Sequence, residues 1–192
     1  MRNHTHATAP ELRTARLLLR GLRTEDLDAG LAEMHADPEV MRYIRDGSTQ
    51  DRTQAAQFLD ARQRDWQEQG FGLFAVESLA DGAFVGWVGL AVPAFLPEIL
   101  PAVEIGWRLR RPCWGRGYAT EAARAALAFG FTDAGLDRIV SVRHVDNSAS
   151  GRVMAKLGLR PERRTTVPGH GRPVEVCAIS RQEYRRLSPV TG

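Results

Sequence analysis

The chain has 192 residues, 43% hydrophobic and 26% charged, which fits one globular domain able to bury a core without disulfides or metals. Its 26 basic and 23 acidic residues leave a net charge of +3, too even a balance to imply nucleic acid as a partner. Cys113 and Cys177 form no C-x-x-C pair, no run approaches the ~18 apolar residues of a membrane span, and the start lacks a signal-peptide pattern, so a reduced, cytoplasmic protein with no metal and no membrane partner is expected.

In chain order, residues 1–12 read as a flexible polar tail and 13–188 as a single domain. "RLLLRGL" (16–22) reads as a first strand. "TEDLDAGLAEMHAD" reads as a helix, with Thr24 as its cap and Leu27, Leu31 and Met34 at helical spacing. Pro38 breaks it, and "PEVMRYI" starts a second helical piece. The next helix runs from "TQDRTQ" to Gly70, with Ala55, Phe58, Leu59, Arg62 and Trp66 on one face. "FGLFAVESL" and "AFVGWVGLAV" form a hairpin about Asp81-Gly82, and "AVEIGWRLR" (102–110) is a further strand. A helix in "YATEAARAALAFGFTDA", a strand in "RIVSVRHV", a capped helix in "NSASGRVMAKLGL" and two strands around "PGHG" complete a mixed α/β (α+β) domain.

The stretch "RPCWGRGYATEAARAALAFGF" (111–131) puts Gly115 and Gly117 just before a helix. The first N–H groups of a helix have no intrahelical partner, and the helix dipole makes that end positive. Small residues there let a phosphate approach the amides, with Arg116 adding charge. A P-loop would need G-x-x-x-x-G-K-[ST], which is absent, and the dinucleotide fingerprint needs a third glycine where Thr120 stands. On these residues alone a plain glycine turn before a helix fits as well.

Taken together and in this order, "TARLLLRGLRTEDLDAGLAEMHADPEVMRYI", "VEIGWRLRRPCWGRGYATEA", "VDNSASGRVMAKLGLRPE" and "ISRQEYRRL" resemble the GCN5-related N-acetyltransferases, the GNAT family, in the branch of ribosomal-protein N-terminal acetyltransferases. In the family loop [Q/R]-x-x-G-x-[G/A], Trp114 stands in the Gln/Arg place, with Gly117 and Ala119 at the other two. The resemblance implies a mostly antiparallel sheet splayed between two parallel strands, with helices on both faces. It implies direct transfer of an acetyl group from acetyl-CoA to a primary amine, on a protein N-terminus or a small molecule. The diphosphate would meet Trp114, Gly115, Arg116, Gly117, Tyr118, Ala119 and Thr120. A bulge in strand 102–110 would free backbone groups of Trp107, Arg108 and Leu109 for the pantetheine arm. Asn147 would cap its helix and hold the same arm, and Arg152 with Lys156 would meet the ribose phosphate.

Glu104, alternating with Val103 and Ile105, is the first candidate for the base; Glu98 and Glu175 are lesser ones. Where many members carry a tyrosine acid, this chain has Met154, and Ser150 is the expected substitute. The missing tyrosine favours a second reading, a non-catalytic acyl-CoA-binding or regulatory module on the same fold. Acceptor specificity is expected from residues 36–70, the loop "PAFLPEILPA" and the last hairpin, and a homodimer is compatible with the branch.

Overall fold

The computed structural model describes residues 8–187. Most of the expected tail lies outside the described residues, but Leu12–Arg13 (β1) pairs with Leu17–Gly21 (β2), so the sheet takes in Leu12. Before the next strand come α1 (Ala32–Ala36), α2 (Pro38–Met41) and α3 (Arg52–Gln69). The strands Leu73–Ser78 (β3), Phe84–Ala91 (β4) and Glu104–Leu109 (β5) lead to α4 (Tyr118–Thr132). Arg138–His144 (β6), Ser148–Lys156 (α5), Arg160–Thr166 (β7), Pro173–Ser180 (β8) and Arg181–Leu187 (α6) follow. The eight strands form one sheet in the order β1-β2-β3-β4-β5-β6-β8-β7, with β5–β6 its single parallel pair.

Local chemistry sets these elements. Asp51 and Gln54 form a reciprocal capping box at the start of α3, bonding each other's backbone N–H at 2.8 and 2.9 Å. Ala55, Leu59 and Trp66 on that helix are buried, as their spacing predicts. The expected helix over 24–37 is instead broken. Residues Leu27–Leu31 form a wide π-type turn in which Gly30 has φ 146°, and α1 begins only after it. Arg110 crosses Gly30 so closely that a Cβ would lie 2.8 Å from its Cδ, and Arg110 then donates to Glu33 at 2.7 Å. Thr24 does not cap; Asp26, in its place, accepts the Arg23 N–H and a two-pronged bond from Arg20.

One face of the sheet carries a continuous core under α4, with Leu17, Phe74, Val88, Ile105, Leu127 and Ile139 among its members. The other face carries two separate apolar clusters. One lies under α1 and α3 and includes Leu31, Leu59 and Trp87. The other, with Leu96, Val140 and Val176, lies toward β8. Strand alternation puts Glu104, Gly106 and Arg108 on this second face, opposite Ile105 and Leu109.

Candidate active site

The site begins where the parallel pair fails. β5 and β6 share one ladder position, Glu104↔Val140, anchored by the Val140 N–H to the Val103 carbonyl at 2.9 Å. Beyond it the strands part, and side chains bridge the root of the gap. The Ser141 hydroxyl donates to the Ile105 carbonyl at 2.8 Å, and the Glu104 carboxylate accepts the Val142 N–H at 3.2 Å. The bulge expected in β5 is not there: the register with β4 runs unbroken from Gly86↔Leu109 to Ala91↔Glu104. The extra residue sits in β4 instead, at Val85, because Val76 and Glu77 of β3 face Gly86 and Phe84.

This corrects which backbone groups are free. Arg110 N–H bonds the Val85 carbonyl, so alternation turns the Arg108, Gly106 and Glu104 backbones toward β4. Ile105, Trp107 and Leu109 face the gap. The Leu109 carbonyl accepts from the Trp114 indole at 2.9 Å, which leaves Trp107 N–H and C=O and Leu109 N–H toward the gap. Arg108 therefore contributes to the site through its side chain, not its backbone.

Among the described residues no cation pairs with Glu104. Burial pushes its pKa up to about 7, against the smaller pull of the Val142 N–H. Glu175 is held in ion pairs by Arg143 and Arg164, which lower its pKa and leave it a weaker base than Glu104. Glu98 lies on the exposed loop, 4.0 Å from Arg163. Asn147 caps α5, its Oδ1 accepting the Ser150 N–H at 3.0 Å, and the Ser150 hydroxyl makes no hydrogen bond among the described residues. Met154 is 1% exposed within the core and offers no proton.

The mouth of α4 is open. Gly117 precedes the helix at φ 79°, a left-handed value that favours glycine, and no side chain caps it. The first bond that closes the helix is Glu121 N–H to the Gly117 carbonyl, at 3.0 Å, so the amides of Tyr118, Ala119 and Thr120 lie ahead of the ladder. An open cavity of about 730 Å³ lies here, lined by Arg16, Gly117, Thr120, Glu121, Arg124 and Lys156 among others. Glu121 fixes the rim by taking Thr14 Oγ1 at 2.6 Å and Arg16 Nε at 2.7 Å. Arg16 also donates to the Arg116 carbonyl at 3.0 Å and lies over the Tyr118 ring, 4.7 Å from its centroid. Gly115, Arg116 and Trp114 are exposed beside this mouth, whereas Arg152 sits on the outer side of α5, near Ser148 Oγ at 3.3 Å.

A helix mouth that presents bare amides, beside a sheet split between two parallel strands, matches a known family along most of the chain. The profile of the "Acetyltransferase (GNAT) domain" matches residues 16–160. The chain belongs to the GNAT acetyltransferase family. It is similar to the Bacillus subtilis protein YkkB, 31% identical over 166 residues, 86% of this chain and 93% of YkkB. It is also similar to FsC-acetyl coenzyme A-N(2)-transacetylase of Aspergillus fumigatus, 31% identical over 194 residues, 93% of this chain and 79% of the relative. Among solved structures, a GNAT-family acetyltransferase from Bacillus anthracis superposes with a TM-score of 0.75 at 26% identity, covering 90% of this chain and 99% of that one.

In this GNAT enzyme the fold also brings Arg16 and Arg124 to the cavity at the mouth of α4 and Ser141 to the root of the gap, none of which the sequence expectations include. Arg16 reaches the mouth of α4 only because β2 lies beside that helix across the core, and no local pattern in "TARLLL" signals it. Arg124 was legible: it stands one helical turn after Thr120, on the face that carries the first amides. Among the described residues no group of three His, Cys, Asp or Glu side chains is placed to hold a metal, and no helix is long and apolar enough to cross a membrane.

Proposed function

We propose that this enzyme moves an acetyl group from acetyl-CoA directly to a primary amine. The observation that carries the reading is the parting of β5 from β6 beside a partly shielded carboxyl, Glu104. On this reading the diphosphate lies against the amides from Gly115 to Thr120, beside Arg16, Arg124 and Lys156. A helix N-terminus suits it because unpaired N–H groups and the dipole both favour an anion. The pantetheine arm passes through the gap and pairs with Trp107 and Leu109, so the thioester reaches the sheet from the α4 side. The amine enters from the other face, where Glu104 lies.

An alkyl ammonium has a pKa of about 10.4 and an α-ammonium about 7.7 to 8.0, so either arrives largely protonated at neutral pH. Glu104, poised near 7, takes one proton directly or through a water. The nitrogen lone pair attacks the thioester carbon while a backbone N–H of the gap steadies the oxygen. As the adduct collapses the nitrogen gives up its second proton to water, the C–S bond breaks, and Glu104 returns its own proton to solvent. The thiolate takes a proton from Ser150, which recovers one from solvent, and the reaction releases one proton overall. The name of the Aspergillus relative, which specifies acetyl coenzyme A and an N(2) acceptor, supports the acetyl source and the nitrogen acceptor. The free thiols of Cys113 and Cys177 support a reducing, cytoplasmic setting.

The test is calorimetry with CoA followed by a thiol-release assay with acetyl-CoA and a panel of amines. Binding plus release is expected, and Glu104→Gln is expected to slow release by about 100-fold. Binding with no release on any amine supports the non-catalytic module, the reading that Met154 favours. No binding of CoA overturns both.

A further inference from the structure

On the acceptor face, Glu104, Gly106 and Arg108 form a strip between the two apolar clusters. The middle of the strip is open: a Cβ on Gly106 would touch only the Trp87 ring, at 3.7 Å. Four strand steps separate Glu104 from Arg108, about 13 Å of backbone. An acceptor lying over Gly106 with its amine at Glu104 therefore has its far end at Arg108.

Among the described residues no carboxylate pairs with Arg108. Its Nη1 lies 3.1 Å from His35 Nε2, and His35 Nδ1 lies 2.7 Å from Gln50 Oε1. Gln50 Oε1 only accepts, so His35 carries its proton on Nδ1 and receives Arg108 on its lone pair. Burial, then the charge of Arg108, pushes His35 down to about 4, so the ring is neutral. The guanidinium lies over Trp87, 5.1 Å from the ring centroid, and 6.0 Å from that of Phe58. Arg108 Nε and Trp87 Nε1 are buried donors with no acceptor among the described residues. None of the ion pairs among the described residues includes Arg108; the charge that acts on it is the cation Arg45. Burial and that cation push its pKa down to about 9, yet a guanidinium keeps its proton at neutral pH, so the site calls for a negative charge.

We infer that the acceptor is an aminocarboxylate, whose carboxylate seats on the Arg108 guanidinium while its amine meets Glu104. This rests on the reading of the chain as an amine acetyltransferase and names the class of amine. A planar guanidinium suits a carboxylate because two parallel N–H bonds can form at once. Polyamines are disfavoured, since their second cation would meet Arg108 and Arg45. An ω-amino acid long enough to span the strip and a short peptide with a free C-terminal carboxylate share the chemistry.

The test compares thiol release for matched acceptors: an ω-amino acid, its carboxamide and its decarboxylated amine, and short peptides with free or amidated C-termini. The acid form is expected to exceed its neutral partners by at least about tenfold in kcat/KM. Amino acid against peptide shows which source is used. Arg108→Gln is expected to erase the preference while leaving KM for acetyl-CoA unchanged. Equal use of acid, amide and amine by the native enzyme overturns the inference, as does an equal loss on all three in Arg108→Gln. If no amine releases thiol, the proposed reaction falls. The anion site is then read from thermal unfolding with N-acetyl amino acids and their amides. Stabilisation by the acids alone, lost in Arg108→Gln, sustains it, and equal or no stabilisation overturns it.

Discussion

Glu104 and Glu175 are carboxylates on the two strands that flank β6, and their surroundings shift their pKa values in opposite directions. Burial pushes both up. At Glu175 hydrogen bonds from Arg164 and Arg143 outweigh burial and hold the group below its ordinary range. At Glu104 one backbone N–H opposes burial, and the pKa settles near 7. For Glu104 as base, kcat/KM rises with pH through a midpoint near 7, and Glu104→Gln removes that limb while the limb set by the amine's own pKa stays. The same shift has a sign in stability. The folded pKa of about 7 exceeds the ordinary 4.5, so the favourable contribution is complete below 4.5 and is lost as pH rises through 7. Glu104→Gln should therefore gain Tm relative to the native protein between pH 4.5 and 8, with no matching gain below pH 4.5. A constant Tm difference across that range would show that Glu104 is ordinarily hydrated.

The element that matters most is the start of α4, held open by a glycine and braced from β2. At Gly117 the φ of 79° makes any Cβ strained, and one placed there would lie 3.5 Å from Arg16 Nη2. Gly117→Ala is expected to cost about 1–2 kcal/mol of folding free energy and to weaken CoA binding by about tenfold, read by denaturant unfolding and calorimetry. Equal CoA affinity in the variant would remove this mouth from the binding site. Such local signals were legible in the sequence. Glycine before an alanine-rich run marked α4, Asn147 marked the start of α5, and the alternation of Val103, Glu104 and Ile105 set the face of the candidate base. Another local signal was passed over: Ser180 and Glu183 bond reciprocally at 2.8 and 3.2 Å, a capping box that announces α6. What no local signal carries is set by distant partners. The break at Gly30 exists because Arg110 crosses it, and β1 exists because Leu12 finds Leu19. The gap opens without a bulge in β5, so the sequence reading put one where the register has none.

Across the whole molecule, two arginines enter the sheet with opposite consequences. Arg20 is 7% exposed and satisfied: Asp26 takes Nη1 and Nη2 at 2.9 and 2.8 Å, and Glu77 takes Nε at 2.9 Å. Those hydrogen bonds and charges raise its pKa further against the pull of burial and join β2 and β3 to the turn before α1. Removing one partner strands the other charge, so Asp26→Ala is expected to lose about 3–5 kcal/mol of unfolding free energy, read from urea midpoints at unchanged m. Arg108 is the inverse case, a shielded cation beside a neutral His35 and a cation, Arg45. Replacing it removes a charge that the ligand-free fold does not neutralise, so Arg108→Gln should raise the urea midpoint of the ligand-free protein where Asp26→Ala lowers it. An aminocarboxylate should then stabilise the native protein and leave Arg108→Gln unmoved, because ligand that binds only the folded state shifts unfolding by mass action. A fall in the midpoint of ligand-free Arg108→Gln comparable to that of Asp26→Ala would make Arg108 a structural residue. The split between the two apolar clusters would then be a packing feature and not a berth for the acceptor.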